Sequence, residues 1–366
     1  MLRTGGVLLM LPLLLISLTV AVAFANGAND VSKGIATLVG SGVSNYRRAI
    51  AWGGVCTVAG ALTAAFASQG LVATFSGKGI LNDASVSPSF LLAIAIGAMA
   101  WLIIATRTSM PVSTTHSLAG ALIGAALMHA GVHDVIWRAL VGKVALPLVA
   151  SPVMSLILLL LILPALRPLM ARFDRYCVCV EQTTAVTPDG MTFRDALPVV
   201  EVGPARTCTT AVARISAIDS LHWLSAGATS FFRGLNDTPK IVALGVGATL
   251  TIGVGHLPLY AGVAVAMGAG SIIAGFRVTR TLAEKVTRIS PSNGFAANLV
   301  TSILVGAASR FAMPVSTTHV SSGAIIGIGL RDRDVRWKIV GEMVLAWVVT
   351  LPVSALLAAG AVWAIG

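Results

Sequence analysis

The sequence predicts an all-α integral membrane protein made of two inverted-topology repeats, with broken helices and re-entrant hairpins. Three observations carry that expectation. First, 56% of the 366 residues are hydrophobic and only 11% are charged, with a mean hydropathy of +0.89, against about 25% charged in an average soluble domain. Second, the apolar runs approach the ~20 residues a spanning helix needs and lack the ~10-residue alternation of an outer-membrane barrel. Third, the chain is written twice. Gly27-Ala28-Asn29-Asp30-Val31-Ser32-Lys33 recurs as Gly234-Leu235-Asn236-Asp237-Thr238-Pro239-Lys240. Arg107-Thr108-Ser109-Met110-Pro111-Val112-Ser113-Thr114-Thr115-His116 recurs as Arg310-Phe311-Ala312-Met313-Pro314-Val315-Ser316-Thr317-Thr318-His319. Polar groups kept in both copies inside apolar surroundings mark a site rather than a packing module.

In chain order, Arg3 and the apolar run 7–23 imitate a secretory signal. The counterpart in the second copy is internal, so the segment is expected to be retained. Residues 7–39 are too long and too interrupted for one plain span, which predicts a helix broken or unwound around 26–30. Spans are expected at 49–75 and 89–106, joined by a polar loop over 76–88. The Pro-Val-Ser-Thr-Thr-His element is too polar to face lipid and too short to span. It is expected at the tip of a re-entrant hairpin opening a short helix over 117–128, with Pro111 suited to a helix start and the hydroxyls to capping. A span over 140–163 closes the first half. Residues 167–214 mix charge with Pro and Gly and read as a cytoplasmic linker, dividing the chain into repeats 1–166 and 215–366. The second half repeats the programme, with a broken helix around 234–240, spans at 257–276 and 295–309, a basic amphipathic segment at 277–288, a second hairpin, and a last span at 339–365.

Five units per half is an odd number, so the halves should lie upside-down to each other. Loop charge supports this: Arg47, Arg48, the linker, Arg277, Arg280, Lys285, Arg288, Arg331, Arg333, Arg336 and Lys338 fall on one side, and only Arg3, Lys78, Arg138 and Lys143 on the other. The basic side is then cytoplasmic, in a multi-pass protein of the cell (inner or plasma) membrane with both termini extracytoplasmic. The formal charge of +11 thus reads as topology, and no nucleic-acid fold accompanies it. Cys56 lies in an apolar run, and Cys177, Cys179 and Cys208 lie in the linker as reduced thiols, without the second pair or spaced His that a metal site needs.

Asp30 and Asp237 are the costly residues, since an Asp at the bilayer centre costs about 2.5–3.5 kcal/mol. Each has a lysine within one helical turn, Lys33 or Lys240, so an internal ion pair is one reading. The other is a hard-cation site in which Asn29, Asp30, Asn236 and Asp237 supply oxygens to Na⁺, or the carboxylates carry H⁺. Ser113, Thr114, Thr115, Ser316, Thr317 and Thr318 stand at helix starts, where hydroxyls and free N–H groups suit an anion as well as a cap. His116 and His319 either donate to an anion, relay a proton or hold a backbone carbonyl. Arg107 and Arg310 either attract an anion or pin the hairpins. An intramembrane hydrolase lacks G-x-S-x-G and H-E-x-x-H motifs, and a primary pump lacks a nucleotide loop. A passive anion channel would share the polar pore but not require the duplicated carboxylates.

At these residues the chain resembles the inorganic phosphate transporter (PiT) family of sodium- or proton-coupled phosphate symporters. The resemblance covers both apolar halves and leaves out the linker. It implies phosphate at Ser113, Thr114, Thr115, Ser316, Thr317 and Thr318, and coupling cations (Na⁺ or H⁺) at Asn29, Asp30, Asn236 and Asp237, with Lys33, Lys240, His116 and His319 as accessories. No cofactor and no enzymatic step is implied. Another oxyanion such as sulfate remains open as substrate, as does a homodimer. Lys33 departs from the family, whose first motif usually has Asn there, and a fixed ammonium beside the first cation site bears on coupling stoichiometry.

Overall fold

The computed structural model describes residues 2–365 except 68, 78–86, 174–176, 183–184, 187–191, 194–197 and 204–212. Lys78, most of the loop expected at 76–88, and Cys208 lie outside the described residues. Helices dominate, as the composition requires. The first half comprises α1 (Leu2–Asp30), α2 (Ser32–Gly40), α3 (Tyr46–Ala67), α4 (Gln69–Phe75), α5 (Pro88–Arg107) and α6 (Thr114–His129). The short α7 (Trp137–Leu140) then winds through a π-helical turn at Val141–Ala145 into α8 (Leu146–Phe173). The second half comprises α9 (Ala217–Thr251), α10 (His256–Ala274), α11 (Phe276–Glu284), α12 (Pro291–Arg310), α13 (Thr317–Asp332) and α14 (Trp337–Ile365).

Among the described residues, six segments are long and apolar enough to cross a membrane: Met10–Gly40, α3, α5, α8, α10 and α14. The 35-residue α9 is long enough, but Asp219, Arg233, Asp237 and Lys240 keep it from being apolar. Its polar residues from His222 to Lys240 are buried by neighbouring helices.

The duplicated sequence produces duplicated caps. Ser87 and Ser290 each precede a proline and accept the backbone N–H of Phe90 and Asn293, starting α5 and α12. Ser113 and Ser316 accept the N–H of His116 and His319, starting α6 and α13. α6 therefore begins three residues before the expected start at 117, and Thr114, Thr115 and His116 form its first turn instead of the loop before it. The turns leading to α6 and α13 hold Ser109 at φ 62° and Ala312 at φ 53°, equivalent positions in the left-handed region that non-glycine residues seldom occupy.

The expected interruption at 234–240 is absent, because α9 runs unbroken through it. Pro239 removes one backbone donor, but burial from Arg233 through Gly245 fixes the segment as helix. In the first half the interruption shrinks to Val31, whose φ −56° and ψ −33° are still right-handed helical. The motif glycines therefore do not free backbone for a ligand. They let helices touch: a Cβ on Gly27 would stand 2.0 Å from Met267 O of α10, and one on Gly234 would stand 2.3 Å from Thr57 O of α3.

The described residues of the linker include short strands. β1 (Cys177–Gln182) pairs antiparallel with both β4 (Pro198–Gly203) and β5 (Ala213–Ser216), in the order β4-β1-β5. A second ribbon pairs β2 (Ala185–Val186) with β3 (Thr192–Phe193). The valine-rich Cys177-Val178-Cys179-Val180 run and Val199-Val200 explain the strands, since β-branched residues suit the pleat.

Candidate functional site

Neighbouring helices bring both copies of the first motif into one buried cluster. α1 supplies Asn26, Asn29 and Asp30, and α2 supplies Lys33. The equivalent stretch of α9 supplies Arg233, Asn236, Asp237 and Lys240. Each of these eight residues is at most 1% exposed, so every charge must be met inside the protein.

The ion pairs that the sequence offered as one reading are present in both copies. Lys33 Nζ lies 2.8 Å from Asp30 Oδ1 and 2.7 Å from both Asn29 O and Asn29 Oδ1. Lys240 Nζ lies 3.1 Å from Asp237 Oδ1 and donates also to Asn236 Oδ1. Asn26 ties the copies together: its amide donates to Asp30 Oδ2 at 2.8 Å, to Thr114 Oγ1 at 2.9 Å and to Asp237 Oδ2 at 3.3 Å. Asn29 Nδ2 donates to Thr106 Oγ1 of α5 at 3.3 Å and to Met110 O in the turn beyond it at 3.0 Å, and Asn236 Nδ2 donates to Ser309 Oγ of α12 at 3.1 Å. Each Asn-Asp pair is thereby fastened to the helix that leads to the tip of its own half.

The two Ser-Thr-Thr tips meet. Thr115 Oγ1 donates to Val315 O at 3.3 Å, and its counterpart Thr318 Oγ1 donates to Val112 O at 2.7 Å, a reciprocal exchange between equivalent atoms. Thr114 Oγ1 donates to Asp30 Oδ2 at 2.9 Å. Lys240 Nζ reaches Thr115 Oγ1 at 2.7 Å and Val315 O at 3.0 Å, touching both tips. Ser113 and Ser316 act as caps, as described above. Thr317 is buried in the first turn of α13. At such starts the N–H groups of the first turn have no partner within the helix and point at whatever lies beyond it.

His116 and His319 pack with ring centroids 4.2 Å apart and planes tilted by 44°, and His319 also packs on Trp347 at 4.1 Å with a tilt of 35°. His319 Nδ1 faces Leu148 O at 3.3 Å, whereas His116 Nδ1 and His319 Nε2 have no hydrogen-bond partner among the described residues. Arg107 and Arg310 are exposed at the ends of α5 and α12, away from the cluster.

Two residues of the cluster escape the motif comparison, Asn26 and Arg233, which occupy equivalent positions four residues before each Asp. Arg233 is fully buried and donates to Thr57 Oγ1 at 2.6 Å and to Asn26 Oδ1 at 3.4 Å, while its Nε has no partner. Its guanidinium makes no ion pair among the described residues. A charged residue inside an apolar run was the available signal. A cavity of about 410 Å³ reaches the turn before the first tip, where Ser109, Met110 and Pro111 face Lys285 and Glu342.

The arrangement joins hydroxyl and N–H donors suited to an oxyanion with carboxylate and amide oxygens suited to a hard cation or a proton. Comparison with known proteins gives the same direction. A family model described as "Phosphate transporter family" matches residues 26–358. A protein of Rhizobium meliloti (strain 1021) described as "Probable low-affinity inorganic phosphate transporter" is 31% identical, over 94% of this chain and 93% of its own. One of the same description from Mycobacterium tuberculosis (strain ATCC 25618 / H37Rv) is 30% identical, over 96% of this chain and 77% of its own. A solved structure described as "The sodium-dependent phosphate transporter" superposes with a TM-score of 0.76 at 22% identity, covering 97% of this chain and 98% of that one, and so shares the fold.

Proposed function

The chain belongs to the phosphate transporter family, and from that membership we propose that it is a secondary active transporter carrying inorganic phosphate across the membrane by symport with Na⁺ or H⁺. The family is one of multi-pass membrane transporters, not enzymes. In this reading the halves 1–166 and 215–366 are inverted repeats joined by a cytoplasmic linker, and the α5–α6 and α12–α13 pairs are re-entrant hairpins. Phosphate sits at Ser113, Thr114, Thr115, Ser316, Thr317 and Thr318, and the coupling ion engages Asn29, Asp30, Asn236 and Asp237.

One observation carries the proposal. Each carboxylate is linked to a tip through very few hydrogen bonds: Thr114 donates directly to Asp30, and Lys240 bridges Asp237 to Thr115. An anion that draws a tip hydroxyl away changes the surroundings of a carboxylate, and a cation or proton on that carboxylate changes the tip. Such reciprocal dependence is what coupling between two ligands requires.

The test is accumulation. Purified protein in liposomes should concentrate radiolabelled phosphate when an inward Na⁺ or H⁺ gradient is imposed, each gradient being tried alone, and unlabelled phosphate should compete. Uptake of sulfate without phosphate would overturn the substrate. Flux that only equilibrates phosphate, whatever the gradient, would replace the symporter with a channel.

A further inference from the structure

The ammonium of Lys33 stands at the place assigned to the coupling cation of the first half. Its Nζ has Asn29 O at 2.7 Å, Asn29 Oδ1 at 2.7 Å and Asp30 Oδ1 at 2.8 Å. An ammonium has three N–H donors, and here each meets one oxygen, so the cage is filled. A second monovalent cation among the same oxygens would lie against a like charge in a buried setting, where repulsion is weakly screened. Lys240 is held differently, since half of its contacts lie on the two tips rather than on its own Asn and Asp.

Charge balance points the same way. The cluster buries two carboxylates, Asp30 and Asp237, and three cations, Lys33, Lys240 and Arg233. It therefore carries a surplus positive charge before any inorganic cation is added. The surplus falls on Arg233, which makes no ion pair among the described residues and whose Nε lacks a partner. A monoanion neutralises this cluster by itself, whereas an added Na⁺ would raise the buried surplus first.

We propose that Lys33 is a tethered replacement for the inorganic cation of the first half, so that phosphate binds this chain without sodium. The inference rests on the phosphate reading given above and narrows its cation assignment, because Asn29 and Asp30 leave the coupling-ion set and sodium is no longer required for phosphate to bind. It makes the side chain at position 33 a determinant of cation requirement.

The test is equilibrium binding of radiolabelled phosphate to the full chain in lipid nanodiscs, in sodium chloride and in choline chloride at equal ionic strength. For the wild type the affinities in the two salts should agree within twofold. Lys33→Asn should lose at least tenfold in choline and recover saturably as sodium is added, because the cage is then open. Lys33→Ala should recover likewise with ammonium chloride, the free counterpart of the lost group. A wild type whose affinity rises more than twofold with sodium overturns the proposal, and that comparison stands even if neither variant folds. A folded Lys33→Asn indifferent to sodium overturns it as well. Absence of phosphate binding by the wild type in both salts defeats the phosphate assignment itself, which separates the two failures.

Discussion

Asp30→Asn separates the stability of the cluster from its transport role. The carboxylate lies 2.8 Å from Lys33 Nζ, a separation at which the attraction is about 6 kcal/mol for an effective dielectric of ~20. Desolvation of both ions offsets much of that, so the pair as a whole adds little. Removing one partner is another matter, because it leaves a buried ammonium uncompensated, at a cost of about 3–5 kcal/mol. The new amide also turns an N–H₂ group toward donors that the carboxylate accepted, Asn26 Nδ2 and Thr114 Oγ1. Asp30→Asn should therefore lower the melting temperature of the detergent-purified protein by several degrees and abolish phosphate accumulation.

The double variant Asp30→Asn/Lys33→Met removes both charges and should regain most of the lost thermal stability, since exchanging a whole buried pair for uncharged groups of similar size is often neutral. Phosphate accumulation should stay absent. Melting curves and liposome uptake on wild type, single and double variants decide the matter. A double variant as unstable as the single one would refute the ion-pair account. Uptake at the wild-type rate by either variant would refute the role given to the carboxylate.

Further outcomes follow from the same geometry. Gly60→Ala places a Cβ 1.9 Å from Phe231 O, a backbone atom that cannot swing away, so α3 and α9 must part at a cost of about 1–3 kcal/mol or more; Gly341→Ala on α14 meets nothing within 4 Å and should leave the melting temperature unchanged or raise it. Lys240→Met strips a donor shared by Asp237, Thr115 and Val315 O, and should abolish accumulation even in saturating sodium, with retained uptake refuting its bridging role. A cysteine at Ser44 in a cysteine-free background should react with an impermeant thiol reagent only once the cytoplasmic face is opened, and labelling of intact cells would overturn the proposed orientation.

Much of this architecture was legible because membrane proteins have few ways to keep a polar group in an apolar run. Asp30, Asp237 and their lysines stood out for that reason, and they are buried and paired. The Ser-Pro starts of α5 and α12 rest on local capping chemistry that the expected starts at 89 and 295 passed over. The continuity of α9 was not legible, since Pro239 and Gly234 are helix breakers by propensity, and only the burial supplied by surrounding helices overrides them. The role of the motif glycines was hidden similarly, because a close approach to Met267 O or Thr57 O depends on a partner helix distant in sequence. Arg233 sits one residue before the repeated string, where the copies differ, so comparing the copies passed over the residue that sets the charge of the cluster.

That difference explains how a duplicated sequence yields an unequal site. The positions four residues before the two aspartates hold Asn26 and Arg233, and these side chains hydrogen-bond to each other at 3.4 Å. With asparagine in both places, two lysines would balance two carboxylates and an anion would enter a neutral cluster. With arginine in both, two guanidiniums would face each other without the amide that now donates to Asp30, Thr114 and Asp237. One of each gives a single surplus charge and a neutral donor that links both carboxylates to the first tip. The lysines divide in the same way. Lys33 closes on Asn29 and Asp30 while its own carbonyl accepts Ser321 Oγ at 2.9 Å, whereas Lys240, on an uninterrupted helix, extends to both tips. The first half thus holds its ammonium within its own motif, and the second half spends its ammonium on the contact between the tips, so equal sequence motifs carry unequal electrostatic tasks.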